Sequence, residues 1–105
     1  MKRLLLISLL LPLAAYAGGD NYTLVIKDHR FQPSEITIPS GKKIRLKVVN
    51  QDATPEEFES HALNREKVVA GNSAATIHIG PLAPGRYPFY GEFNEATAQG
   101  VIIAQ

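Results

Sequence analysis

The chain contains no cysteine. A disulfide framework is therefore excluded, and a domain exported to an oxidising compartment must hold its core by packing alone. Neither sign of charge dominates. Eleven Lys and Arg stand against ten Asp and Glu, a formal +1, and no basic patch with interleaved aromatics marks a nucleic-acid binder. Sustained 3.6-residue periodicity is missing, which argues against a helical domain. There are no internal repeats, low-complexity runs or interdomain linker. Ser40, Ser60 and Ser73 lack a Gly-x-Ser-x-Gly elbow, and the chain has neither a phosphate-cradling glycine loop nor a His-Glu-x-x-His zinc helix. Paired carboxylates could serve a glycosidase, but so small a domain leaves little room for a sugar cleft.

At the N-terminus, Lys2 and Arg3 precede an apolar run from Leu4 to Ala14, and Ala15-Tyr16-Ala17 is a small-x-small cleavage site. This pattern predicts a secretory signal over residues 1–17 and a mature chain from Gly18. The apolar run is short for a bilayer span, the alternative being an uncleaved anchor. With no lipobox cysteine, the expectation is a soluble exported protein, periplasmic in a bacterium with two membranes. Without Lys2 and Arg3 the chain carries nine basic and ten acidic side chains, a formal −1. The mature chain has enough residues for one small domain, 18–105, with one core.

That domain reads as strands and turns. Tyr22–Lys27 is a strand, Asp28-His29-Arg30 interrupts it, and Phe31–Ser34 is a short crossing segment. Ile36 and Ile38 share a face, and Pro39-Ser40-Gly41 is a turn. Lys43-Ile44-Arg45-Leu46-Lys47-Val48 alternates charge with apolar residue through three periods, so Ile44, Leu46 and Val48 face the core. Glu56–Ser60 is a short strand around Phe58. Leu63–Val69 is either extended or one helical turn. Ala74–Ile79 alternates with His78 outward and solvent-exposed. Seven or eight short strands separated by turn signals make an all-β Greek-key sandwich or barrel.

The stretch from Pro84 to Gly100 organises the rest. A Pro84-Gly85 turn leads into an aromatic strand through Tyr87 and Phe89, with Pro88 suggesting an edge or a bulge. A loop with Glu92 and Glu95 follows, and Val101–Ala104 closes the chain as a strand. This ending resembles that of a cupredoxin, Tyr-x-Phe-x-Cys-x-x-His-x-x-x-Met-x-Gly. Tyr87, Phe89 and Gly100 match, but Gly91, Asn94 and Ala98 stand at the Cys, His and Met positions. The phrase Phe31 to Gly41 also resembles the first half of many cupredoxins. The loop Asn50 to Phe58 places Glu56 where the family carries its first His. The resemblance implies a cupredoxin-like sandwich without a type-1 blue-copper site. Three stretches, Pro55 to Ser60, Leu63 to Val69 and Gly91 to Gly100, are similar to EfeO-type and other periplasmic cupredoxins associated with high-affinity iron uptake. Asn94 departs from the His of that loop.

Carboxylates gather in the same two regions: Glu56, Glu57 and Glu59 in one, Glu92 and Glu95 in the other. On a strand, Glu56 and Phe58 share one face, while Glu57 and Glu59 share the other. One set is expected to reach a metal while the other pairs with Arg65 or Lys67. His61 is the nearest imidazole, and His29 sits in a polar turn. Oxygen donors with one imidazole suit iron, manganese or Cu(II), and not a thiolate-dependent copper centre. The expected metal ligands are Glu57, Glu59 and Glu92, then Glu56, His61 and Glu95. The resemblance implies an iron or copper ion and a membrane iron permease or other uptake component as partner. It implies no enzyme activity outside a complex, where ferrous iron could be oxidised. The competing expectation is a metal-free interaction domain, with the acids a solvated rim balanced by Arg65, Lys67 and Arg86, and Tyr90 or Phe93 marking a docking patch.

Overall fold

The computed structural model describes residues 20–105; the expected signal peptide and the start at Gly18 lie outside the described residues. Among the described residues nine strands follow in chain order: β1 (Asn21–Lys27), β2 (Arg30–Gln32), β3 (Glu35–Ile38), β4 (Ile44–Asn50), β5 (Glu56–Ser60), β6 (Arg65–Val69), β7 (Ser73–Ile79), β8 (Gly85–Gly91) and β9 (Gln99–Ala104). A single 3₁₀ turn, Glu92–Asn94, lies between β8 and β9. The expected crossing segment is real: β2 ends in one sheet at Gln32 and β3 begins in the other at Glu35.

The first sheet has the order β2-β1-β4-β7 and the second β3-β9-β8-β5-β6. Only β1 with β4 and β3 with β9 run parallel; the other pairs are antiparallel. The two sheets form a cupredoxin-like sandwich. The strand count exceeds seven or eight because Leu63–Val69 resolves as extended from Arg65 and adds edge strand β6.

Alternation places the core. Tyr22, Leu24 and Ile26 on β1 and Ile44, Leu46 and Val48 on β4 are buried between the sheets. Phe31, Phe58 and Phe89 meet at its centre with ring centroids 5.0 to 6.2 Å apart. Such aromatic pairs contribute about 0.5–1.5 kcal/mol each beyond their area.

Two local devices shape the ends. Asp28 and His29 form a two-residue hairpin loop, both at positive φ (54° and 58°), as a right-twisted β1–β2 hairpin requires. The Asp52 carboxylate accepts both of their backbone N–H groups, at 2.8 and 3.0 Å. Pro88 corrects the sequence expectation, since β8 is interior rather than an edge. It is tolerated because β8 pairs with β5 only at Tyr90 and Gly91. Beyond them the Ser60 hydroxyl, not a backbone N–H, donates to the Pro88 carbonyl at 2.7 Å.

Candidate functional site

The pleat of β5 divides its carboxylates between two environments. Glu56, Phe58 and Ser60 point inward and are buried; Glu57 and Glu59 point outward. Glu56 is 2% exposed and fully engaged. Its Oε1 accepts the backbone N–H groups of Glu57 (3.0 Å) and Phe93 (2.9 Å), and its Oε2 accepts the Asn94 amide at 2.7 Å. The carboxylate thus ties β5 to the 3₁₀ turn. Gly91 completes this pole. A Cβ there would lie 2.6 Å from Glu56 Cδ and 2.8 Å from Ala98 Cβ, so the space beside Gly91 is already full.

Outside, Glu57 and Glu59 meet a third carboxylate. Glu66 on β6 is the direct cross-strand partner of Glu59. Ligand-competent oxygens of Glu57, Glu59 and Glu66 all lie within 4.8 Å of one another. Like charges directly opposite on a sheet repel. Burial, followed by Glu66, Glu59 and Glu92, pushes the Glu57 carboxyl above the usual range. Burial and Glu66 do the same to Glu59, with His61 opposing. The expected ion pairs with Arg65 or Lys67 do not form. Arg65 instead donates to the carbonyls of His78 and Asn64, both at 2.9 Å. Among the described residues no ion pair reaches this cluster.

Tyr90, the β8 partner of Glu59, borders the cluster. Its hydroxyl lies 3.1 Å from His61 Nε2. Burial and the charges of Glu92, Glu59 and Glu95 hold the phenol protonated to higher pH than usual. Glu92, whose charge also raises Glu57 and Glu59, lies on the same side.

The structure therefore brings Glu57 and Glu59 together, with Glu92 in electrostatic reach. It sets Glu56 apart behind the sheet, places His61 against Tyr90, and leaves Glu95 exposed at the end of the 3₁₀ turn. Glu66 was missed by sequence reasoning. Flanked by Arg65 and Lys67, it reads as a solvated charge. A four-residue hairpin loop after Ser60 would have set it opposite Glu59, but only if residues 65–69 had been read as a strand.

A two-sheet fold of this topology defines a cupredoxin-type sandwich, here with the Glu56 carboxylate closing one end. The model of the cupredoxin-like domain matches residues 3–104, and the chain belongs to that family. An uncharacterized protein of Rickettsia prowazekii (strain Madrid E) is 49% identical over 80 residues; the match takes in 76% of this chain and 64% of that relative's length. Auracyanin A, a "blue" copper protein from Chloroflexus aurantiacus, superposes with a TM-score of 0.70 at 12% identity, over 81% of this chain and 98% of that one. The metal-binding domain of the Streptococcus pneumoniae D39 Cu(I)-exporting P-type ATPase does so at 0.70 and 11%, over 89% and 94%. These structural likenesses carry the fold alone.

Copper of the blue type does not fit the pole of this chain. No thiolate is available. The volume beside Gly91 is taken by the Glu56 carboxyl, and both its oxygens are occupied by N–H donors of the chain. The Glu56 carboxyl group itself links β5 to the 3₁₀ turn at this place.

Proposed function

We propose that this chain is an exported, periplasmic metal-handling protein that serves a high-affinity iron-uptake system. It holds an iron or copper ion on the outer face of the second sheet for a membrane permease or another uptake component. The observation that carries the reading is the convergence of Glu57, Glu59 and Glu66 within 4.8 Å, without a basic partner. A hard cation relieves that repulsion and finds oxygen donors suited to it. Glu92 adds to the field at the site, and the similarity to iron-uptake-associated cupredoxins points the same way. Apart from Met1 the chain has no sulfur ligand, so ferrous-iron oxidation is assigned only to a complex with a partner.

Calorimetric titration of residues 18–105 with Fe(II) under anaerobic conditions, and separately with Cu(II) and Mn(II), tests this. One ion per chain is expected, with affinity lowered about 10–100-fold or more in Glu57→Gln/Glu66→Gln. Equal affinity in the variant, or no binding of any of the three ions, overturns the reading. The second reading is then favoured: a metal-free domain that docks on a membrane-bound or periplasmic partner. Its support is the exposure of Phe93 (51%) and Val68 (55%) beside the acidic face.

A further inference from the structure

The two outer faces of the sandwich carry opposite charge. No Asp or Glu occurs on any of the four strands of the first sheet, whereas Lys27, Arg30, Arg45 and Lys47 stand at outward positions on them. On the second sheet the outward charges are Glu35, Glu57, Glu59 and Glu66 with the cation Arg86, while Arg65 and Lys67 are exposed along the edge strand β6. A chain close to neutral overall is therefore strongly polarised across its thickness.

The basic face has internal order. Arg45 lies in register between Asn21 on β1 and His78 on β7, and Lys47 between Thr23 and Thr76. Arg45 Nε donates to Asn21 Oδ1 at 2.9 Å, which holds the guanidinium over the sheet. At this end Lys43, Arg45, Arg65 and His78 line a cavity of about 440 Å³. Asp20 also lines it, but its carboxylate is paired with Lys42 at 3.1 Å. At the opposite end, Asp52 directs its carboxylate to the backbone of Asp28 and His29, and Asp28 sits in the hairpin turn.

We propose that the outer face of the first sheet docks on the headgroup layer of an anionic lipid membrane. Charge complementarity identifies the occupant, and what the face lacks separates it from a protein partner. Stable protein interfaces centre on aromatic and other large apolar anchors. The large hydrophobics that stand exposed among the described residues, Val68 and Phe93, belong to β6 and the 3₁₀ turn. Within the basic face, Val25 and Val49 are half-buried. Clustered cations without an apolar wedge match adsorption on headgroups, without insertion. Adsorbed in this way, the chain turns the Glu57, Glu59 and Glu66 face away from the membrane. The inference does not depend on that face holding a metal.

Both sheets and the core between them are formed by described residues, so residues 18–105 are the unit to test. Cosedimentation with vesicles of phosphatidylglycerol in phosphatidylcholine, and of phosphatidylcholine alone, is measured at low and high salt. Binding is expected only with phosphatidylglycerol and only at low salt. Arg45→Gln/Lys47→Gln lowers partitioning about 10–30-fold. Lys67→Gln/Arg86→Gln removes the same charge from other positions and changes it by less than about threefold, because exposed charges act within a screening length. Thermal melts establish that both variants are folded. No binding to anionic vesicles at low salt overturns the proposal, as does an equal loss in the two variants. Retention on immobilised polyglutamate without vesicle binding also overturns it, in favour of an acidic protein partner.

Discussion

The Glu56 carboxylate and the Asn94 side-chain amide, 38 residues apart, are joined by a 2.7 Å hydrogen bond at the closed pole of the sandwich. Since Glu56 also accepts the Glu57 and Phe93 N–H groups, removing it strands three donors and opens a cavity. Glu56→Ala is expected to lose about 2–4 kcal/mol of stability, read from urea unfolding at neutral pH. In a cycle with Asn94→Ala the two losses should be coupled by at least about 0.5 kcal/mol. Strict additivity would show that the pair does not act as a unit.

Gly91 and Glu56 share one volume. The Cβ of Gly91→Ala would be placed 2.6 Å from Glu56 Cδ and 2.8 Å from Ala98 Cβ. Overpacking of this kind costs about 1–3 kcal/mol. With Glu56→Ala already present, the added methyl group enters vacated space, so its cost should fall by at least half. Unfolding midpoints of the two single variants and the double variant decide this. A cost that is the same in both backgrounds would place the strain at Ala98 instead.

How far the sequence reaches can be judged from β4, β5 and β6. Three periods of charge against apolar residue in Lys43 to Val48 fixed both the strand and its buried face, because both follow from local alternation. The split of Glu56 from Glu57 and Glu59 follows from the same pleat. What was not legible depended on partners remote in sequence. Glu66 joins the cluster through the register of β5 with β6. Glu56 turns from a candidate ligand into a buried acceptor because the 3₁₀ turn brings Phe93 N–H and the Asn94 amide to it. Pro88 sits in an interior strand because the β5 ladder stops before reaching it. Alternation specifies faces, whereas register and loop closure specify neighbours.

The outward acids give the metal-free protein a particular pH response. Burial and neighbouring carboxylates raise Glu57 and Glu59 in the folded state. Groups raised in this way bind protons more tightly folded than unfolded. Their stabilising effect is therefore complete below the unfolded value, about 4.3, and is lost as pH rises through the folded value. Asp52 has the opposite sign. The backbone N–H groups of His29 and Asp28 lower it, so its contribution is present above about 3.9 and lost as pH falls through the folded value. Metal-free urea midpoints should decline as pH rises above about 4.3, and Glu57→Gln/Glu59→Gln should flatten that decline. An unchanged slope in the variant would remove these two groups from the account.

Asn50 supplies a test of how the two sheets are held at this pole. It is buried at the end of β4, in the first sheet, and its Nδ2 lies 2.9 Å from Thr54 O, 3.1 Å from Val69 O and 3.3 Å from Ala70 O. Its Oδ1 accepts the Asp52 N–H at 3.0 Å. Val69 ends β6 in the second sheet, directly opposite Glu56, so one amide joins both sheets behind the buried carboxylate. Asn50→Ala should cost about 2–3 kcal/mol, because the buried Val69 carbonyl and the part-buried Thr54 and Ala70 carbonyls lose their donor. Asn50→Asp should cost more at neutral pH, since it turns an anion toward the carbonyls that the amide had satisfied. The difference between the two variants should narrow at acidic pH, where a protonated Asp can donate once. Urea unfolding of both variants at two pH values measures the order. An Asp variant more stable than the Ala variant at neutral pH would mean that the amide is not the donor holding this junction.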